Sequence, residues 1–75
     1  MEGKMYFSKN LKYLRKKNKL SQNKLAKNLN VNQTTIARWE DEGREPTISS
    51  AFKVAKYFEI SLDKLISVDL ERGKK

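Results

Sequence analysis

The 75-residue chain carries 17 Lys and Arg against 9 Asp and Glu, a net charge of +8, and contains neither Cys nor His. That length suits one small domain, whose core removes only about 60% of the unfolded chain's surface from water. Without Cys there is no disulfide scaffold and no thiolate metal site, and without His the commonest general base and metal ligand is missing; the composition argues against an enzyme and against a bound metal or cofactor.

Apolar residues recur at helical spacing along the chain and nowhere alternate long enough for a strand. After an N-terminal arm (residues 1–6), Phe7, Leu11 and Leu14 predict a first helix over about residues 7–18, with Ser8, Lys9, Lys12 and Lys16 on other faces. Ser21 is a preferred N-cap and opens a second helix over about residues 21–28, with Leu25, Ala26 and Leu29 turned inward. Asn30 tolerates the left-handed conformation that suits the end of this helix, and Val31 anchors the turn. Asn32 is a second N-cap, for a helix over about residues 32–41 that buries Ile36 and Trp39. Gly43 closes this block, and Pro46 disfavours a helical Glu45 in the loop that follows. Thr47 caps a fourth helix, about residues 47–58, with Ile48, Ala51, Phe52, Ala55 and Phe58 expected on its inner face. Ile60 lies in a short turn, and Ser61 caps a last helix with Asp63 near its positive end and Leu62, Leu65 and Ile66 inward. Residues 67–75 are a short tail expected to fray, and no internal repeat is visible. The expected fold is all-α, a compact five-helix domain over residues 7–66.

The charge is unevenly placed. The first 39 residues hold ten basic groups and one acid, whereas the remainder hold seven basic and eight acidic groups. The whole excess lies in the first half, and a polyanion is its expected partner, nucleic acid above all; a merely solvated face is the alternative. No run approaches 18 consecutive apolar residues, so no membrane span is expected, and the N-terminal stretch lacks the apolar core of a secretion signal.

Residues 21–40, SQNKLAKNLNVNQTTIARWE, place two short helices around a tight turn. Ala26 permits close approach of the second helix, Asn30 makes the sharp turn, and Ile36 pins the second helix on the first, which is the arrangement of a helix-turn-helix. With Phe7…Leu11…Leu14-Arg15, Leu20-Ser21-Gln22…Leu25-Ala26, Val31…Ile36…Trp39-Glu40 and Pro46…Ala55…Ile60-Ser61-Leu62-Asp63…Leu65-Ile66 in order, the sequence resembles the phage-repressor and Cro-like (XRE-type) helix-turn-helix family over about residues 7–66. It departs from that pattern at Asn30, where Gly is usual, and at Lys24, where Glu would complete a capping box.

The resemblance implies double-stranded DNA as partner and places Asn32, Gln33, Thr34, Ala37 and Arg38 on the base-reading face of the third helix. Their chemistry suits the role: Gln pairs bidentately with adenine, Arg with guanine, and Thr or Ala meets a thymine methyl. The alternative is that these residues only solvate an exposed helix, and Arg38 suits a phosphate equally well. By the same resemblance Ser21, Gln22, Lys24, Arg44 and Thr47 are phosphate-binding candidates, with Gln22 also buttressing Gln33, and Arg15 and Glu40 form a partly buried ion pair. Lys19 and Lys27 are weaker candidates. Lys9, Lys12, Lys16, Lys17, Lys53 and Lys56 are read as solvated or as long-range attractors. Trp39 is read as core.

The resulting expectation is a cytoplasmic, nucleoid-associated transcriptional regulator of the repressor kind. It would bind a pseudo-palindromic operator as a homodimer, with Tyr57, Val68 and Leu70 as candidate interface residues lacking an obvious core duty. An antitoxin or a restriction–modification controller would use the same fold. A protein-interaction module that has lost DNA binding would instead carry acidic or bulky apolar residues on the third helix.

Overall fold

A computed structural model describes residues 5–73; residues 1–4 of the expected arm and residues 74–75 of the expected tail lie outside the described residues. Five helices, α1 (Phe7–Lys17), α2 (Gln22–Leu29), α3 (Gln33–Asp41), α4 (Ile48–Tyr57) and α5 (Leu62–Ser67), fall within a residue or two of the spans that the apolar spacing predicts. None is long and apolar enough to cross a membrane.

Three of the interhelical turns share one construction. Helices α1, α2 and α4 are each followed within two residues by one with positive φ, namely Lys19 (58°), Asn30 (61°) and Glu59 (59°). The next residue, Leu20, Val31 or Ile60, sends its N–H back to the carbonyl of Arg15, Ala26 or Ala55, while the positive-φ residue bonds Lys16, Lys27 or Lys56. This paired closure satisfies the last carbonyls of each helix and drives the apolar residue onto the core. A cap for the following helix comes next: Ser21 accepts from the Lys24 N–H and Ser61 from the Lys64 N–H, each at 3.0 Å. Asn32 occupies the corresponding N-cap position of α3, but its side chain makes no capping hydrogen bond there. Thr47 caps α4 through Ser50 N–H at 3.1 Å.

All five helices contribute to the core: Phe7, Leu11 and Leu14; Leu25, Ala26 and Leu29; Ile36 and Trp39; Ala51, Val54 and Ala55; and Leu65. Phe7 meets Trp39 edge to face at 5.5 Å, and Ser8 donates its hydroxyl to the Trp39 carbonyl, fastening α1 to the end of α3.

Several expectations need correcting. On α4 the buried set is Ala51, Val54 and Ala55, with Phe58 half-buried, whereas Ile48 is 81% and Phe52 57% exposed. The alanines let α4 approach closely on a narrow stripe that ends before Phe52, whose ring lies under the Lys56 ammonium at 6.0 Å. The tail is also fastened as far as Arg72. Asn10, fully buried, donates from Nδ2 to the carbonyls of Leu65 and Val68, both at 2.7 Å, and accepts the Leu70 N–H at 3.0 Å. Lys9 pairs with the buried Asp69 at 2.9 Å, so it is not simply solvated. Leu70 thereby packs against the core and Val68 is half-buried, so neither lacks an intramolecular duty.

Candidate nucleic-acid interface

The turn between α2 and α3 is short because its parts leave no slack. Ala26, 2% exposed, presents only a methyl group to the packing between the helices, and its carbonyl receives the Val31 N–H at 2.9 Å. Asn30 reverses the chain with φ 61° and ψ 45°, a conformation that costs an L-residue with a side chain about 1–2 kcal/mol but is eased for Asn. Ile36 is fully buried and Trp39 nearly so, which fixes the rotation of α3 about its axis. The opposite face then looks outward: Asn32, Gln33, Thr34 and Arg38 are exposed and Ala37 is half-buried.

Beneath that face runs a continuous chain of hydrogen bonds. Arg15 grips Glu40 bidentately, Nε to Oε2 at 2.7 Å and Nη2 to Oε1 at 2.9 Å, and its Nη1 donates to the Leu20 carbonyl at 2.8 Å. The Glu40 side chain is fully buried and that of Arg15 is 11% exposed. The hydrogen bond to Glu40 holds the Arg15 guanidinium above its ordinary pKa, against the opposing effect of burial. Gln22 donates to Glu40 Oε1 at 3.1 Å and accepts from Gln33 Nε2 at 3.1 Å. Four side chains from α1, α2 and α3 are thus linked from the interior to the surface. The Gln22–Glu40 hydrogen bond is a contact that sequence reasoning missed, since nothing in the spacing of residues 22 and 40 reveals it.

The phosphate candidates occupy several positions. Ser21 and Lys24 are exposed at the start of α2, where the N–H groups of the first turn and the positive dipole end suit an anion. Gln22 is half-buried, with both ends of its amide already engaged as described. Arg44 is exposed, 3.4 Å from Glu42, and its N–H returns to the Arg38 carbonyl at 3.2 Å. Arg38 and Arg44 border one shallow depression with Thr35, Trp39 and Glu45. Thr47 is exposed, and its hydroxyl is shared with the backbone and side chain of Ser50.

Comparison with known proteins agrees with this geometry. The pattern of the helix-turn-helix family matches residues 11–65. The chain is 40% identical over 53 residues to an uncharacterised HTH-type transcriptional regulator of Methanocaldococcus jannaschii, covering 71% of this chain and 80% of that protein. It is 35% identical over 63 residues to the HTH-type transcriptional activator BcrR of Enterococcus faecalis, covering 84% of this chain but only 31% of BcrR. The P22 c2 repressor, solved in complex with a synthetic operator, superposes with a TM-score of 0.71 at 29% identity, over 79% of this chain and 89% of that one.

Proposed function

The chain belongs to the helix-turn-helix family of the phage-repressor type, and on that premise we propose that it is a sequence-specific double-stranded DNA-binding transcriptional regulator, a repressor in its simplest use. In this reading α3 lies in the major groove and Asn32, Gln33, Thr34, Ala37 and Arg38 meet base edges. Ser21, Gln22, Lys24, Arg44 and Thr47 hold the flanking phosphates and set the register.

One observation carries the reading: the Gln22–Gln33 hydrogen bond at the solvent edge of α2 and α3. It uses one N–H of Gln33 and leaves the other N–H and the carbonyl oxygen in place, which is the donor–acceptor pair that an adenine edge requires. Few base contacts come from one such module, so a two-fold dimer on half-sites about 34 Å apart is the expected working form. Of the three residues first considered for its interface, Tyr57 stays 38% exposed, whereas Leu70 is occupied by its own core.

Selection from random-sequence duplexes followed by footprinting tests the proposal. An enriched pseudo-palindrome is expected, with protection of both half-sites. Equal, salt-sensitive binding to all duplexes, with nothing enriched, overturns it.

A further inference from the structure

The helix-turn-helix does not account for the largest group of positive charges in the chain. Helices α2 and α3 together carry three cations, Lys24, Lys27 and Arg38. Helix α1 carries five, at Lys9, Lys12, Arg15, Lys16 and Lys17, and only two of these are spent inside the fold, Arg15 on Glu40 and Lys9 on Asp69. Lys12, Lys16 and Lys17 are exposed and make no ion pair among the described residues. With Lys9, Tyr13 and Glu71 they line a groove of about 500 Å³ between the outer side of α1 and the tail. The Lys17 ammonium lies 5.6 Å from the Tyr13 ring, and Tyr13 is half-buried.

The placement of this stripe follows from how α1 packs. Phe7, Ser8 and Arg15 face α3 through Trp39 and Glu40, and Asn10 faces α5 and the tail. Lys12 and Lys16, one helical turn apart, stand on the remaining side. Lys16 and Lys17 lie well round the helix from Phe7, Ser8 and Arg15, while Lys12 borders them, one turn on from Ser8.

We propose that the outer face of α1 is a second nucleic-acid surface, on which Lys12, Lys16 and Lys17 bind the phosphate backbone of a duplex other than the one held by α3. The chemistry suits this occupant. The exposed cations of this face are lysines, compact point charges that pair with a row of phosphates without demanding fixed geometry. Lys12 and Lys16 lie about 6 Å apart along the helix axis, a spacing that keeps both within reach of neighbouring phosphates on one strand. An anionic membrane requires an apolar face beside the charges, and the apolar stripe of α1, Phe7, Leu11 and Leu14, is buried in the core. Glu71 borders the groove at its tail side. The consequence is that a bound regulator can hold two segments of DNA together.

The inference extends the DNA-binding reading of α3, and one titration separates the two. Uniformly ¹⁵N-labelled protein is titrated with a short duplex to several equivalents while backbone amides are followed. Two phases are expected: amides of residues 32–38 shift first, and those of Lys12, Tyr13, Lys16 and Lys17 shift in a weaker second phase. K12Q/K16Q/K17Q should weaken the second phase about tenfold or more, lower its salt slope by about one per contacting lysine, and leave the midpoint of the first phase within about twofold. Because all three lysines are exposed, melting of the variant reports whether the fold is kept. If the α1 amides never shift, the proposal is overturned whatever α3 does. It is equally overturned if they shift with poly-glutamate but not with the duplex, which assigns the face to an acidic protein. Shifts on α1 with none on α3 leave this inference standing and defeat the reading of α3.

Discussion

Gln33 rests on Gln22: the Nε2 of Gln33 donates to Oε1 of Gln22 at 3.1 Å, and Gln22 is itself held by Glu40. The side chain with the best chemistry for reading adenine is therefore oriented before DNA arrives. Replacing Gln22 with Ala leaves Gln33 free to rotate, and Glu40 keeps both bonds to Arg15. We expect Q22A to melt within a few degrees of the parent. Its affinity for the selected operator should fall about tenfold, the cost of one or two kcal/mol of lost orientation and phosphate contact, while binding to a scrambled duplex falls less. Fluorescence anisotropy on both duplexes checks this, and an equal loss on the two would assign Gln22 to phosphate contact alone.

Arg15 and Glu40 lie at the root of the same chain of hydrogen bonds. Removing the guanidinium leaves a fully buried carboxylate with only Gln22 for company. R15A is expected to lose about 3–5 kcal/mol, a large part of the stability of so small a domain. R15M/E40L, which removes both charges and keeps the volume, should recover much of that loss. Urea denaturation of R15M, E40L and R15M/E40L gives the coupling. A strongly destabilised E40L with a near-neutral R15A would contradict a pair in which the carboxylate is the more deeply buried member.

Much of the fold is legible in the chain. The stripes of α1, α2 and α3 are spelled out by Phe7, Leu11 and Leu14, by Leu25, Ala26 and Leu29, and by Ile36 and Trp39, because each faces one core at helical period. The caps at Ser21, Thr47 and Ser61 are local and are read locally. What escapes is long-range or ambiguous. Asn10 looks like a surface residue, yet its amide is buried because three backbone groups of α5 and the tail, more than fifty residues away, satisfy it. On α4, Ile48 and Phe52 share the inward period closely enough to mislead, and only the depth of the alanine stripe decides. The recurring order of positive-φ residue, apolar residue and N-cap at residues 19–21, 30–32 and 59–61 was present as a pattern, but Lys19 and Glu59 do not advertise left-handed backbone as Asn30 does.

Those two positions also mark where stability can be gained. Glu59 holds φ at 59° with an exposed side chain, just after the end of α4 and outside α2 and α3. Glycine adopts this conformation without the steric penalty of a Cβ, so E59G should stabilise the domain by about 1 kcal/mol despite the added freedom of the unfolded chain. For a domain of this size that corresponds to a rise in Tm of about 4–8 °C. Operator affinity should not change. A lower Tm in E59G would mean that its unfolded-chain entropy outweighs the relief of strain.

Asp69 makes the tail latch sensitive to acid. The hydrogen bond from Lys9, with the Arg72 N–H at 3.4 Å, holds its carboxyl below the usual carboxylate range, against the opposing effect of burial. A carboxylate whose pKa is lower folded than unfolded stabilises the fold at pH above its unfolded value, about 3.9, and that contribution fades as pH falls through the lower folded value. The gap in Tm between the parent and D69N should therefore be constant from pH 7 to 5 and close as pH falls below about 4. Asn10 does not titrate, so its bonds to Leu65, Val68 and Leu70 persist after the ion pair is lost. The Leu70 amide should accordingly remain protected from hydrogen exchange in D69N and lose protection in N10A. Loss of Leu70 protection in D69N itself would show that the ion pair, and not the buried amide, holds the tail on α1.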